Sequence, residues 1–176
     1  QVLDEVLEQI EPAVLATHLA ELDTDDAAEV LEDLDADEQE RILEALPEVD
    51  RELVAEALSY PESSAGRLMQ RDYVAVPEYW NVGQVIDWLR ENEDLPEDFY
   101  ELFVVDPGHK PVGAVPLSRA MRSRRPIPVA DIMTAEQKLF PVKMDQEEVA
   151  FQFEQYNLTS AAVVDENGRL MGQITI

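Results

Sequence analysis

The chain has 176 residues, of which 39 are acidic and 13 basic, for a net charge of −26. That balance disfavours nucleic acid and anionic membrane surfaces and favours cations or basic partners. Cysteine is absent, which excludes disulfides and thiolate metal sites, and no apolar run approaches the length of a membrane span.

The acid is concentrated at the start. Residues 1–62 hold 21 acidic side chains against only Arg41 and Arg51. Within them, 22–47 ("LDTDDAAEVLEDLDADEQERILEALP") carries eleven carboxylates and one cation. Two carboxylates about 5.5 Å apart at an effective dielectric of about 20 repel by roughly 3 kcal/mol, so this stretch calls for a counter-charge. It is also repetitive. Ile10, Leu22, Leu34, Leu46 and Leu58 recur every twelve residues, as do Leu19, Leu31, Leu43 and Ala55. Helical runs such as Ala27–Leu34 and Gln39–Leu46 alternate with turns, and Asp23 with Asp26, like Asp35 with Glu38, has capping-box spacing. A twelve-residue helix-turn unit cannot bury its apolar stripe alone, so the repeats are expected to stack into a superhelical solenoid. Residues 33–44 place acids at several Ca²⁺-loop positions, but Glu38 stands where the sharp turn needs glycine. The helix repeat explains the same spacing, and an EF-hand is rejected.

"PESSAG" at 61–66 interrupts this pattern and sets the expected boundary between an all-α domain at 1–62 and the rest of the chain. Strand signals come next: "YVAV" (73–76), "LFVV" (102–105) and "VGAV" (112–115). They return as "LFPV" (139–142), "SAAVV" (160–164) and "MGQITI" (171–176), with helical patterns at 82–90 and 147–156. "VVDPGHKPVGAV" (104–115) matches "VVDENGRLMGQI" (163–174) at an offset of 59, and 68–85 matches 132–149 at an offset of 64. The difference is an insertion around "NEDLPED" in the first half. A duplicated strand-helix-strand-turn-strand-helix unit predicts a pseudo-twofold pair with a cleft between its halves. The expected units span 66–125 and 126–176, the second cut short in mid-strand at "GQITI", so that the chain reads as a fragment of something longer.

Enzyme chemistry finds no support in these residues. There is no cysteine nucleophile, no phosphate-binding glycine loop and no histidine metal motif, and His18 and His109 are isolated. The reading is of a non-enzyme.

The β-α-β-β-α unit opening with "GRLM" or "ADIM" and closing on "VVDxxGxxxG" resembles a CBS domain, and two in tandem resemble a CBS pair. The acidic helical region running into "SYPESSAGRLMQRDYVAV" resembles the cytosolic part of the MgtE magnesium transporters. The resemblance covers nearly the whole chain and implies an α+β protein in two parts, a short-helix solenoid followed by a tandem CBS pair. It implies a Mg²⁺ sensor in the cytoplasmic domain of a bacterial inner-membrane protein, coupled to the membrane pore domain of the same chain. In that family Mg²⁺ bridges acidic faces of the helical and CBS domains, and the compact, ion-filled form favours a closed pore. Asp25, Asp26 and Glu29 then fall at ion positions of the helical domain, and Glu147, Glu154 and Asn157 at those of the second CBS helix. At position 154 the family uses a backbone carbonyl, and at 157 Asn replaces the usual Asp, which removes a charge but keeps an oxygen.

Other readings of the same residues remain open at this stage. Asp in a first helical turn favours the macrodipole, and an acidic solenoid face can be merely solvated, for solubility or in a saline habitat. Many CBS pairs sense adenine nucleotides, but Pro116 and Arg119 stand where the family's nucleotide-binding Ser-x-x-Asp would be, so ATP is expected to bind weakly or not at all. The resemblance also implies a homodimer through the CBS units, with Val85, Ile86 and Leu89, or Val149 and Phe153, as candidates for the shared surface.

Overall fold

A computed structural model of the chain describes residues 10–176, so the start of the first repeat lies outside the described residues. Four helices begin at twelve-residue intervals: α1 (Pro12–Leu19), α2 (Thr24–Glu32), α3 (Ala36–Ala45) and α4 (Glu48–Ser59). Pro12 sits in the first turn of α1, where its missing N–H costs nothing. The Asp35 side chain accepts from the Glu38 N–H at 2.9 Å and caps α3 as its spacing predicts. Asp23 does not cap α2 with its side chain, which leaves that carboxylate free for other contacts. Helices pack on their next-but-one neighbours, α1 on α3 and α2 on α4, as in a superhelical stack. Leu15, Leu19, Leu31, Leu34, Ile42 and Leu46 form its core. The twelve-residue ladder is imperfect because Leu22 falls in the turn before α2 and stays 45% exposed. Most of 33–44 is α3, so no ion-binding loop exists there.

A single-turn helix, α5 (Ala65–Leu68), leads into two three-stranded sheets. The first holds β1 (Ala75–Pro77), β2 (Glu101–Val105) and β3 (Pro111–Pro116), with α6 (Val82–Glu91) crossing from β1 to its parallel neighbour β2. α7 (Leu117–Arg122) and the single-turn α8 (Val129–Ile132) follow. The second sheet holds β4 (Leu139–Pro141), β5 (Ser160–Val164) and β6 (Leu170–Thr175), with α9 (Gln146–Tyr156) crossing. The antiparallel pairs β2–β3 and β5–β6 carry the same register shift, at Val104/Val105 and Val163/Val164. In both hairpins the turn Asp side chain accepts two backbone N–H groups, and the residue that takes a left-handed φ is His109 in one and Gly168 in the other.

The halves exchange their opening segments. Gln70, ahead of β1, pairs with Gln173 on β6, while Thr134, ahead of β4, pairs with Ala114 on β3. This explains the glycine shared by the repeats. A Cβ on Gly172 would lie 3.0 Å from the Met69 sulfur, and one on Gly113 would lie 2.5 Å from the Met133 sulfur, so each glycine admits a methionine of the other half. Phe103, Val105, Ala114, Ala162 and Leu170 fill the space between the sheets.

The candidate dimer surfaces need correction. Val85, Ile86, Val149 and Phe153 are all buried, and Leu89 packs partly buried against the core of its own unit, so none presents a free apolar face. Phe151 and Tyr156 on α9 are the aromatic side chains that stay exposed instead.

Candidate metal-binding surfaces

α2 presents the acids read as helical-domain ligands. Ala27, Ala28 and Leu31 face inward, which leaves Asp26 and Glu29 exposed and Asp25 half-buried at the N-terminal turn. Asp25 Oδ1 is shut off from solvent and has no hydrogen-bond partner. Burial, with the Asp26 and Asp23 charges beside it, pushes the Asp25 carboxyl up to about 6. An ionised oxygen without a partner in such a place suits a hard cation. Asp23 is also raised, first by burial and then by Asp72, which belongs to the segment ahead of β1. Two carboxylates therefore oppose each other across the boundary between the helical part and the β units.

That boundary opens into a cleft of about 750 Å³. Asp23 just ahead of α2, Asp72, Glu97, Asp98 and Glu101 all line it, together with Tyr100. Glu97 and Asp98 come from the acidic insertion of the first repeat. The sequence marks the insertion, but nothing in its spacing says that it turns toward the helices. The Ser160 hydroxyl donates to Glu101, which ties the second half to the same wall.

The second candidate surface lies on α9. Glu147, Glu154 and Asn157 share one open cleft of about 770 Å³, floored by Val149, Phe153 and Ile174. The Glu147 N–H bonds to the capping Asp145 Oδ1 at 2.8 Å, and Glu147 itself is exposed. Glu154 and Asn157 stand at the C-terminal end of an eleven-residue helix, where the dipole favours a cation. Asn157 takes φ 48° and ψ 50°, a left-handed cap that asparagine tolerates well, so its identity also has a backbone explanation. Glu147, Glu154 and Asn157 thus line one cleft, while Asp25, Asp26 and Glu29 share the helix α2. Among the described residues no three acidic or histidine side chains converge as a closed metal site. Each surface offers part of an oxygen shell, which suits Mg²⁺, an ion that keeps several waters and takes one or two carboxylates.

The raised Asp25 carboxyl gives a test. Because the folded chain holds this proton more tightly than the unfolded chain, its share of stability is present at low pH. That share is lost as pH rises through the window from about 4 to about 6. Asp25→Asn is expected to raise stability at pH 7 without metal by roughly 1 kcal/mol, discounted for partial solvent access. Its advantage over the parent chain should vanish below about pH 4 in parallel urea titrations.

Arg119, read as standing where a nucleotide-binding Asp would be, is tied to its surroundings. Arg119 Nη1 donates to the Ile132 carbonyl at 2.9 Å and to Thr134 Oγ1 at 3.3 Å, laying a guanidinium from α7 across to the segment ahead of β4.

A superhelical stack of short acidic helices, followed by two interlocked β-α-β-β units, defines a CBS-pair regulatory protein with a helical N-terminal part. The sequence pattern of the MgtE intracellular N domain matches residues 1–63, and that of the CBS domain matches 129–176. The magnesium transporter MgtE of Thermus thermophilus is 37% identical over 117 residues, or 66% of this chain and 26% of that one. MgtE of Bacillus subtilis is 29% identical over 119 residues, 68% of this chain and again 26% of the relative. The chain thus spans about a quarter of the length of these curated relatives. Among solved structures, the soluble part of a magnesium transporter superposes with a TM-score of 0.89 at 27% identity, covering 99% of this chain and 68% of that one. The cytosolic domain of the Mg²⁺ channel MgtE in complex with ATP superposes at 0.83 with 32% identity, covering 98% and 75%. The chain belongs to the MgtE family and corresponds to its cytosolic N domain and CBS pair.

Proposed function

We propose that this chain is the Mg²⁺-sensing regulatory region of a bacterial inner-membrane magnesium transporter, acting as a homodimer on the membrane pore of the full-length protein. Divalent ions bridge the acidic faces of the N domain and the CBS units, and the compact, ion-filled form favours the closed pore. Asp25, Asp26 and Glu29 supply ligands on α2, and Glu147, Glu154 and Asn157 on α9. The N domain is assigned to 1–62 and the CBS units to 66–125 and 126–176. The observation that carries this reading is the cleft where Asp23 meets Asp72, Glu97, Asp98 and Glu101, since closure there brings like charges together unless cations intervene. Without ions the two parts repel and separate, and with ions they close, which shifts a two-state population. Calorimetric titration of Mg²⁺ into the metal-stripped chain at constant ionic strength tests it. A saturable signal weakened by Asp25→Ala/Glu29→Ala is expected, and no Mg²⁺-specific heat would overturn it.

A second reading, adenine-nucleotide sensing, is favoured by the ATP held in one solved relative. The five carboxylates of the boundary cleft weigh against a polyanion there, and Arg119 stands where the family's ribose-binding Asp would be. Millimolar ATP without Mg²⁺ is therefore expected to leave the melting curve unchanged. A saturable upward shift would restore the nucleotide reading.

A further inference from the structure

Two arginines oppose the repulsion of the acidic boundary. Arg67 on α5 is 8% exposed and donates through Nη2 to Glu32 of α2, and through Nη1 to the carbonyls of Ala57 and Tyr60 at the end of α4, at 3.3 and 3.4 Å. Arg71 donates through Nη2 to Glu56 of α4 at 2.7 Å, and through Nη1 to the Met171 carbonyl on β6 at 3.2 Å. Its guanidinium therefore spans from the helical part to the second β unit. The Tyr60 hydroxyl donates to the other oxygen of Glu56 at 3.1 Å and holds that carboxylate in place. The backbone is fastened at the same seam. The N–H groups of Ala65 and Gly66 donate to the carbonyls of Met144 and Val142, and the Gln146 N–H donates to the Ser63 carbonyl. The last turn of α4, α5 and the second sheet are thus one joined block.

We propose that Arg67 and Arg71 are positioning residues that bias the N domain toward docking on the CBS pair, opposing but not abolishing the separation of the ion-free state. They set the concentration of divalent cation needed to close the rest of the boundary. Two opposed interactions meet at this boundary. The shielded Arg67–Glu32 and Arg71–Glu56 pairs favour the docked arrangement, because separation would part a fixed guanidinium from its carboxylate. Asp23 against Asp72, on the rim of the acidic cleft, favours the open one. A cation can act only on the difference between the two states, so weakening the latch must raise the ion concentration at the midpoint. This inference rests on the ion-bridging reading for its Mg²⁺ dependence, but the latch itself acts in metal-free solution.

The experiment follows scattering radius against Mg²⁺ concentration for the whole chain and its variants. Glu32→Gln, Glu56→Gln and Arg71→Gln are each expected to raise the midpoint by about fivefold. The Glu56→Gln/Arg71→Gln double variant should do no more than the stronger single change, because both remove one contact. Asp72→Asn should lower the midpoint. Glu166→Gln, which breaks the exposed pair with Lys143, is the control and should leave it unchanged. Latch variants whose midpoints equal that of the control would overturn the proposal. If the parent chain shows no Mg²⁺ response, the sensing reading fails while the latch is still decided in EDTA. There Glu56→Gln should be more expanded than the parent chain at equal helix content, and equal radii would overturn it.

Discussion

Millimolar MgCl₂ is expected to compact the chain and raise its melting temperature by about 5–10 °C over NaCl of equal ionic strength. Monovalent salt acts on all charges alike through the Debye length, whereas a bridging divalent ion needs oxygens from two surfaces at once. A ligand at a hundred times its dissociation constant stabilises by about 2.7 kcal/mol, which is readily seen in a melt. Asp25→Ala with Glu29→Ala should remove much of the Mg²⁺-specific part and leave the NaCl response intact, and Glu147→Ala should do the same less strongly. The effect should also fade as pH falls below about 6, where the Asp25 carboxyl takes up its proton and ceases to be a ligand. Identical curves in the two salts would mean that the carboxylates are only solvated.

Phe140→Ala is expected to destabilise the chain by about 3–5 kcal/mol, the usual cost of emptying a buried aromatic site. Phe140 on β4 is fully buried and meets the Phe153 ring edge-on at a centroid distance of 5.7 Å. Its cluster also includes Ala65 and Met69, so the cavity would open beneath the segment that joins the N domain to the CBS pair. Phe151→Ser, two residues from Phe153 on the same helix but on its exposed side, should change stability by less than about 0.5 kcal/mol. Urea unfolding of both variants checks the contrast.

Much of the architecture can be read directly from the residues. The twelve-residue spacing appears as helices starting at Pro12, Thr24, Ala36 and Glu48. The offset of 59 appears as two hairpins with matching register shifts, because hairpin patterns are local and periodic. What escaped was long-range. No local rule pairs Gln70 with Gln173, or sends Arg71 to both Glu56 and Met171. Asp23 has capping spacing yet leaves the cap, a choice that depends on what lies beyond the helix end. Val149 and Phe153 have the right apolar spacing for a partner surface, but the same spacing serves the unit's own core. The nearest available signal for the latch was compositional. After a stretch with only Arg41 and Arg51, two arginines appear within "GRLMQRD", directly after the acidic first 62 residues.

The exchange of opening segments also bears on synthesis at the ribosome. Met69 and Gln70 leave the exit tunnel roughly a hundred residues before Gly172 and Gln173, a wait of about 5–20 s at ordinary elongation rates. Through that interval the helical stack, whose contacts are nearly all nearby in sequence, can already be formed. The first sheet, by contrast, emerges with a methionine and a backbone edge still lacking their mates. The nascent chain should therefore acquire protease resistance in two steps: one soon after the fourth helix emerges, and one only when β6 has emerged. Stalling translation between these points would expose the intermediate to chaperones.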